Sequence, residues 1–135
     1  MRKVATILIL CGAVFCFGAC GGKPAGMPAN LHYQHIVLTP LAAEQALLEG
    51  PPQTAGMRSG RVVLLPGKMM AKHSTRNSEE FLIFLKGSAR VLLGDDTLHV
   101  GAGETLYIPP QTYHELLNDG QEECRYIYVV APARR

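Results

Sequence analysis

The chain has 135 residues, which is room for one domain with its own hydrophobic core. Its formal net charge of +2 comes from Arg2 and Lys3, because residues 20–135 hold eleven Lys and Arg against eleven Asp and Glu. A neutral body without a basic stripe or a run of like charge excludes nucleic acid as the expected partner.

The N-terminus has the layout of an export signal. Two basic residues precede an uncharged apolar run that ends in small residues, MRKVATILILCGAVFCFGACGG, as in a secretory signal peptide. The end of this run, FGAC, resembles the lipobox of bacterial lipoproteins, in which the cysteine receives a lipid and becomes the new N-terminus. The resemblance implies a signal peptide over residues 1–19, lipid attachment at Cys20, and anchoring in the bacterial cell envelope on its periplasmic or extracellular face.

The alternative for this segment is an uncleaved membrane anchor. Residues 4–22 are uncharged and come close to the roughly 20 residues that span a bilayer. Both alternatives place the following domain outside the cytoplasm. Residues 20–30 are rich in Gly, Pro and Ala and predict a flexible tether, followed by a domain over residues 31–135.

Cysteine usage predicts no disulfide framework. After processing, Cys124 is the one remaining thiol, and a single cysteine cannot form an internal disulfide. Cys124 precedes the apolar sequence RYIYVV, which favours a small core residue over a nucleophile.

The domain is predicted to contain one short helix followed by strands. Thr39 is a good N-cap, Pro40 suits the first helical position, and a Gly-Pro-Pro sequence from Gly50 ends the segment. From Arg61 onward, short apolar runs alternate with turn signals, which is typical of an all-β sandwich or barrel. The predicted strands are 61–65, 68–73, 80–86, 89–93, 97–100, 105–108, 114–117 and 125–130.

Two spaced motifs lie on these strands. The first contains Gly67, His73, Thr75, Glu80 and Gly87, and the second contains Gly103, Pro109, Gln111, His114 and Asn118. Their spacing resembles the paired motifs of the cupin superfamily, G-x5-H-x-H-x3,4-E-x6-G and G-x5-P-x-G-x2-H-x3-N. Thr75 stands where the second histidine is usual, and Gln111 stands where a glycine is usual. The resemblance covers residues 61–130 and implies an all-β cupin fold, the double-stranded β-helix or jelly-roll barrel, here with a short N-terminal helix.

The resemblance also implies a divalent transition metal, Fe, Mn, Ni or Zn, bound by His73, Glu80 and His114. Thr75 then occupies the fourth position, either in place of a ligand or in contact with water or substrate. Two imidazoles and one carboxylate form a 2-His-1-carboxylate set that leaves open coordination positions. The alternative is a cupin whose site has become an ordinary polar pocket.

Glu79 lies next to Glu80 and could supply the carboxylate in its place. Six residues separate Glu80 from Gly87, as the motif requires, so Glu79 is expected to face solvent, toward Lys72 or Arg76.

The glutamine at position 111 predicts a turn different from the one glycine would form.

The remaining histidines and tyrosines are interpreted as structural. His99 is expected on an exposed strand face, and His32 and His35 on a polar strand near the tether. The tyrosines read as core or rim aromatics: Tyr107, Tyr113, Tyr126 and Tyr128.

Three functions fit this pattern. The first is an envelope-anchored metal-dependent enzyme acting on a small metabolite, of the oxygenase, isomerase or lyase type, with no general base assigned. The second is a non-catalytic module that binds a small ligand or a metal. The third is a scaffold with an empty pocket. Because cupins commonly pair through barrel edges, a homodimer that involves residues 31–38 is expected.

Overall fold

The computed structural model describes residues 31–40 and 44–133, and these form nine strands and no helix. All eight predicted strands are present, with bounds that differ from the prediction by at most a few residues, which confirms the all-β fold. No helix in the described part of the chain is long and apolar enough to cross a membrane. The strands are β1 Gln45–Glu49, β2 Arg58–Leu64, β3 Met69–Ser74, β4 Ser78–Lys86, β5 Ser88–Leu93, β6 Asp96–Gly101, β7 Thr105–Ile108, β8 Tyr113–Leu117 and β9 Cys124–Pro132.

The strands form two antiparallel sheets that pack face to face. Sheet A has the order β1-β2-β9-β4-β7, and sheet B has the order β3-β8-β5-β6. Side chains alternate between the two faces of a strand, so each sheet turns one apolar face inward. The buried apolar side chains between the sheets are Val62, Leu64, Leu82, Phe84, Ala89, Val91, Val100, Ile108, Leu116, Cys124 and Tyr126.

Strand β4 shows the alternation that decides which glutamate faces the interior. Glu80, Leu82 and Phe84 are buried, whereas Phe81 and Leu85 on the opposite face are exposed. The ring of Phe84 stacks on that of Tyr126 across the strand pair β4–β9, with ring centroids 5.5 Å apart. The inward face of β4 therefore joins a polar end at Glu80 to the apolar core.

The prediction of a short helix over residues 39–50 is wrong where the structure describes that segment. Residues 45–49 form the edge strand β1, which pairs with β2; residues 41–43 lie outside the described part of the chain. The backbone N–H and the hydroxyl of Thr39, the expected N-cap, both donate to Gln45 Oε1. Pairing with the exposed edge of β2 gives this segment backbone partners and outweighs its local helix signals.

The segment before β1 also differs from its prediction. Residues 31–39 have no regular secondary structure, so the polar strand expected around His32 and His35 is absent there. Both histidines are exposed.

Asn118, the last residue of the second motif, ties two turns together. Its fully buried side-chain amide donates to the carbonyl oxygens of Leu64 and Glu122, both at 2.7 Å, and its Oδ1 accepts from the N–H of Gly120. Its backbone also exchanges hydrogen bonds with the β2–β3 turn at Gly67 and Lys68. The motif asparagine therefore anchors the barrel end away from the histidines.

Cys124 is a core residue. Its side chain is fully buried, and burial raises the pKa of its thiol to about 11. A thiol with such a pKa stays protonated at neutral pH and is a poor nucleophile.

Candidate metal centre

The first two residues of the site lie opposite each other on β3, the edge strand of sheet B, and on its neighbour β8. Strands β3 and β8 pair in a register that sets His73 opposite His114. Their imidazole rings lie 4.2 Å apart between centroids, with planes inclined at 58°. His114 is almost completely buried, whereas His73 is exposed at the cavity side of the edge strand.

The carboxylate comes from the other sheet. Glu80 lies on the inward face of β4, and its Oε2 is 3.3 Å from Nε2 of His114. One ligand atom each from His73, Glu80 and His114 lies within 4.8 Å of the other two. Within the described residues this is the one group of three such side chains close enough to hold a metal ion.

The hydrogen bonding of the two histidines suits metal binding. Nδ1 of His73 lies 2.9 Å from the carbonyl oxygen of Ala71, and a proton held there leaves Nε2 free as a ligand. Nε2 of His114 is buried and makes no hydrogen bond, although Glu80 is near. A buried nitrogen without a partner is unfavourable, and a metal ion would satisfy it.

The spacing of the ligand atoms also fits the coordination of a metal ion. Two ligands that each lie about 2.1 Å from a metal are roughly 3.0–3.4 Å apart in tetrahedral or octahedral geometry. The separation between His114 and Glu80 falls in this range. His73 is the exposed member of the set, so its side chain has room to adjust toward the other two.

The three residues line a cavity of about 510 Å³. Its walls combine apolar side chains with a few polar groups from both sheets. The other lining residues are Ala46, Leu48, Glu49, Arg58, Met70, Ser74, Thr75, Leu116, Tyr126, Tyr128 and Val130. This volume suits a small molecule of metabolite size.

Among the lining residues that received no site role from the sequence, four are titratable. Glu49 fell in the expected helix, Arg58 preceded the first predicted strand, and Tyr126 and Tyr128 were interpreted as structural aromatics. Tyr126 does belong to the core, and burial, with a smaller contribution from the charge of Glu80, raises the pKa of its hydroxyl. The signal that would have found Arg58, Tyr126 and Tyr128 is alternation along β2 and β9, whose inward faces continue to the cavity.

Thr75 borders the cavity, but its hydroxyl is largely committed to the fold. The hydroxyl donates to the carbonyl oxygen of Pro109 at 2.9 Å and accepts from the N–H of Thr112 at 3.0 Å. The backbone N–H of Thr75 also donates to the carbonyl oxygen of Thr112. One lone pair of the hydroxyl remains for a ligand or a water molecule.

The turn before His114 keeps the shape that glycine would give it, contrary to the sequence prediction. Gln111 adopts a positive φ of 60°, the left-handed conformation that glycine adopts without strain. Its N–H donates to the carbonyl oxygen of Arg76 at 2.8 Å, and its side-chain amide donates to Oδ1 of Asn77 at 3.0 Å. These two bonds to the β3–β4 turn offset the strain of a non-glycine residue in this conformation.

The competing residues lie outside the site. The carboxylate of Glu79 accepts a hydrogen bond from the Tyr107 hydroxyl at 3.0 Å, instead of facing Lys72 or Arg76 as expected. This bond to a carboxylate raises the pKa of Tyr107. His99 is exposed on β6, as its position in the strand predicted.

Comparison with known proteins assigns this fold to one family. Residues 60–130 match the Cupin domain family. Polyketide synthase CurC of Streptomyces cyaneus is 32% identical over 84 residues, which cover 60% of this chain and 54% of that protein. Protein SchB of Streptomyces halstedii is 33% identical over 84 residues, 60% of this chain and 61% of that protein. The chain thus spans only about half to three fifths of these curated relatives.

Solved structures agree at the level of the fold. A Cupin 2 conserved barrel domain protein from Salinispora arenicola superposes with a TM-score of 0.63 at 22% sequence identity, covering 76% of this chain and 92% of that one. The family match and the two-sheet barrel define the class: the matched residues form a jelly-roll barrel domain. The chain belongs to the cupin superfamily.

Replacing Thr75 tests whether its hydroxyl is structural. Thr75→Val keeps the shape but leaves the Pro109 carbonyl and the Thr112 N–H without their partner, so we expect a loss of about 1–3 kcal/mol in unfolding free energy. Thr75→Ser keeps the hydroxyl and should lose less than about 1 kcal/mol. Chemical denaturation of both variants measures the difference. Equal stability of the two would show that the hydroxyl does not hold the turns together.

Proposed function

We propose that this cupin binds a divalent transition metal through His73, Glu80 and His114 and binds or acts on a small metabolite in the adjoining cavity. The observation that carries the proposal is the convergence of these three ligand groups from two sheets at the wall of a 510 Å³ cavity. Once bound, the metal would supply Lewis-acid or redox chemistry at its open coordination positions. The protein supplies the cavity that orients the small molecule.

A second candidate, a non-catalytic ligand-binding cupin, is favoured by one observation. The titratable groups that line the cavity beyond the three metal ligands are Glu49, Arg58, Tyr126 and Tyr128. The raised pKa of Tyr126 keeps its hydroxyl protonated at neutral pH, so it is not available as a general base, and Glu49 lies on the edge strand. Turnover of a bound metabolite would favour the enzyme, whereas recovery of the same molecule unchanged would favour the binder.

Metal content is the first test of the proposal. We expect near-stoichiometric Fe, Mn, Ni or Zn by plasma mass spectrometry on protein purified without a histidine tag. His73→Ala and His114→Ala should each lower metal affinity by at least tenfold, because each removes one of three protein ligands.

His99→Ala is the matched control, since His99 is an exposed histidine on another strand. It should keep the metal content of the wild type. A folded wild type that stays metal-free after incubation with each of the four metals would contradict the metal site and leave a metal-free ligand-binding cupin.

We further propose that the domain is anchored in the bacterial envelope through a lipid on Cys20, with the signal peptide of residues 1–19 removed. The support is the lipobox-like sequence FGAC at the end of the apolar run; this segment lies outside the described residues. In a bacterial host fed radiolabelled palmitate, the chain should incorporate label and sediment with membranes.

The Cys20→Ala variant should lose the label, whereas the control Cys16→Ala should keep it, because Phe15 precedes Cys16 and does not fit the lipobox. Labelling that persists in Cys20→Ala would contradict the assignment of the lipid site.

The homodimer stays a prediction, and the outer face of sheet A supports it. Phe81, Leu85 and Tyr107 expose apolar surface there, which a second copy of the chain would cover. Light scattering should give twice the molar mass of one chain, and a monomer mass at all concentrations would contradict the prediction.

A further inference from the structure

Arg58 is a charged residue on the inward face of a core strand. Alternation along β2 turns Arg58, Gly60, Val62 and Leu64 to the same side of sheet A. Val62 and Leu64 are buried in the core, and Gly60 is covered by the ring of Tyr128. Arg58, the first residue of the strand, lines the cavity.

The strand registers place Arg58 in one row with the metal ligand Glu80. Arg58 pairs with Val130 across β2–β9, and Val130 pairs with Glu80 across β9–β4. All three line the cavity. Two interstrand spacings separate the ends of this row, so the Cα atoms of Arg58 and Glu80 are roughly 10 Å apart.

The guanidinium has no partner among the described residues. Glu49 is its register partner across β1–β2 and also lines the cavity, yet no ion pair or hydrogen bond joins the two side chains. The common structural role of an exposed arginine at a strand end is to extend into solvent. Here Arg58 lines the same cavity as the three candidate metal ligands, two interstrand spacings away from Glu80.

We propose that Arg58 binds the anionic group of the cavity ligand, and that the ligand is a small molecule with a carboxylate or phosphate at one end and an oxygen donor for the metal at the other. Arginine matches carboxylate and phosphate oxygens with paired N–H donors. The apolar side chains of Leu48, Leu116 and Val130 line the cavity and suit a short hydrocarbon body between the two ends. This inference rests on the proposed metal-binding function.

The experiment varies the distal group of a probe and keeps the carboxylate that would bind the metal. Zinc-loaded protein is titrated by calorimetry with adipate, with its monoamide adipamate, and with 5-phosphonopentanoate. All three offer a carboxylate to the metal, and they differ only in the distal group. We expect the wild type to bind the two probes with an anionic distal group roughly tenfold more tightly than adipamate, because an arginine–anion hydrogen bond replaces a neutral one. Whichever of adipate and 5-phosphonopentanoate binds more tightly indicates whether the natural ligand carries a carboxylate or a phosphate at this end.

Arg58→Gln should abolish this tenfold preference while zinc content stays unchanged. Arg125→Gln is the matched control: it removes the same charge from β9, where Arg125 pairs with Glu123 and does not line the cavity. This control should keep the preference. Equal binding of adipate and adipamate by the zinc-loaded wild type, or a preference that survives in Arg58→Gln, would overturn the inference.

A second arm distinguishes failure of the metal site from failure of Arg58. If zinc does not bind, the proposed function fails, and hexanoate is compared with neutral hexanamide on the metal-free protein. Tighter binding of hexanoate that disappears in Arg58→Gln would support anion binding by Arg58 alone. Equal or absent binding of both probes would overturn it.

Discussion

The candidate metal centre depends on hydrogen bonds between two turns, one joining β3 to β4 and the other joining β7 to β8. The imidazoles come from sheet B and the carboxylate from sheet A, so the distance between the sheets at this end sets the ligand geometry. Thr75 bonds to Pro109 and Thr112, and the N–H of Gln111 donates to Arg76. These bonds fix the end of β3 against the start of β8, where the two histidines lie.

The same bonds hold two residues in a costly conformation. Arg76 and Gln111 both have positive φ, at 52° and 60°, which costs a non-glycine residue on the order of 1 kcal/mol or more. Such strain persists only where surrounding contacts determine the conformation. Threonine and glutamine at these two motif positions therefore contribute hydrogen bonds that hold the two turns together. Thr75 contributes its hydroxyl to the turn contact, where a histidine would offer a ligand.

The sequence was sufficient for the strands and for singling out His73, Glu80 and His114, which the structure brings together, because turn residues and motif spacing are local patterns. Turn residues delimit each strand, and alternation decides that Glu80, not Glu79, faces the interior. It was insufficient for β1, since the segment carries strong helix signals and becomes a strand only by pairing with β2. It was also insufficient to place Arg58 in the cavity lining, because the row that joins Arg58 to Glu80 passes through β9, which is distant in the chain. Cross-strand register of this kind follows from the whole barrel and not from any one segment.

The cavity lining comes from two parts of the chain. The three candidate metal ligands lie within the residues that match the cupin family, 60–130, whereas Arg58 and strand β1 precede them. A divalent ion bound beside Glu80 would keep one unit of positive charge, and Glu49 offsets Arg58 only in part because no ion pair joins them. A negatively charged ligand is therefore favoured on electrostatic grounds at both ends of the row. Because these groups lie on different segments, the family residues would hold the proposed metal while the preceding strand would contact the ligand, with Arg58 as its proposed anion-binding group.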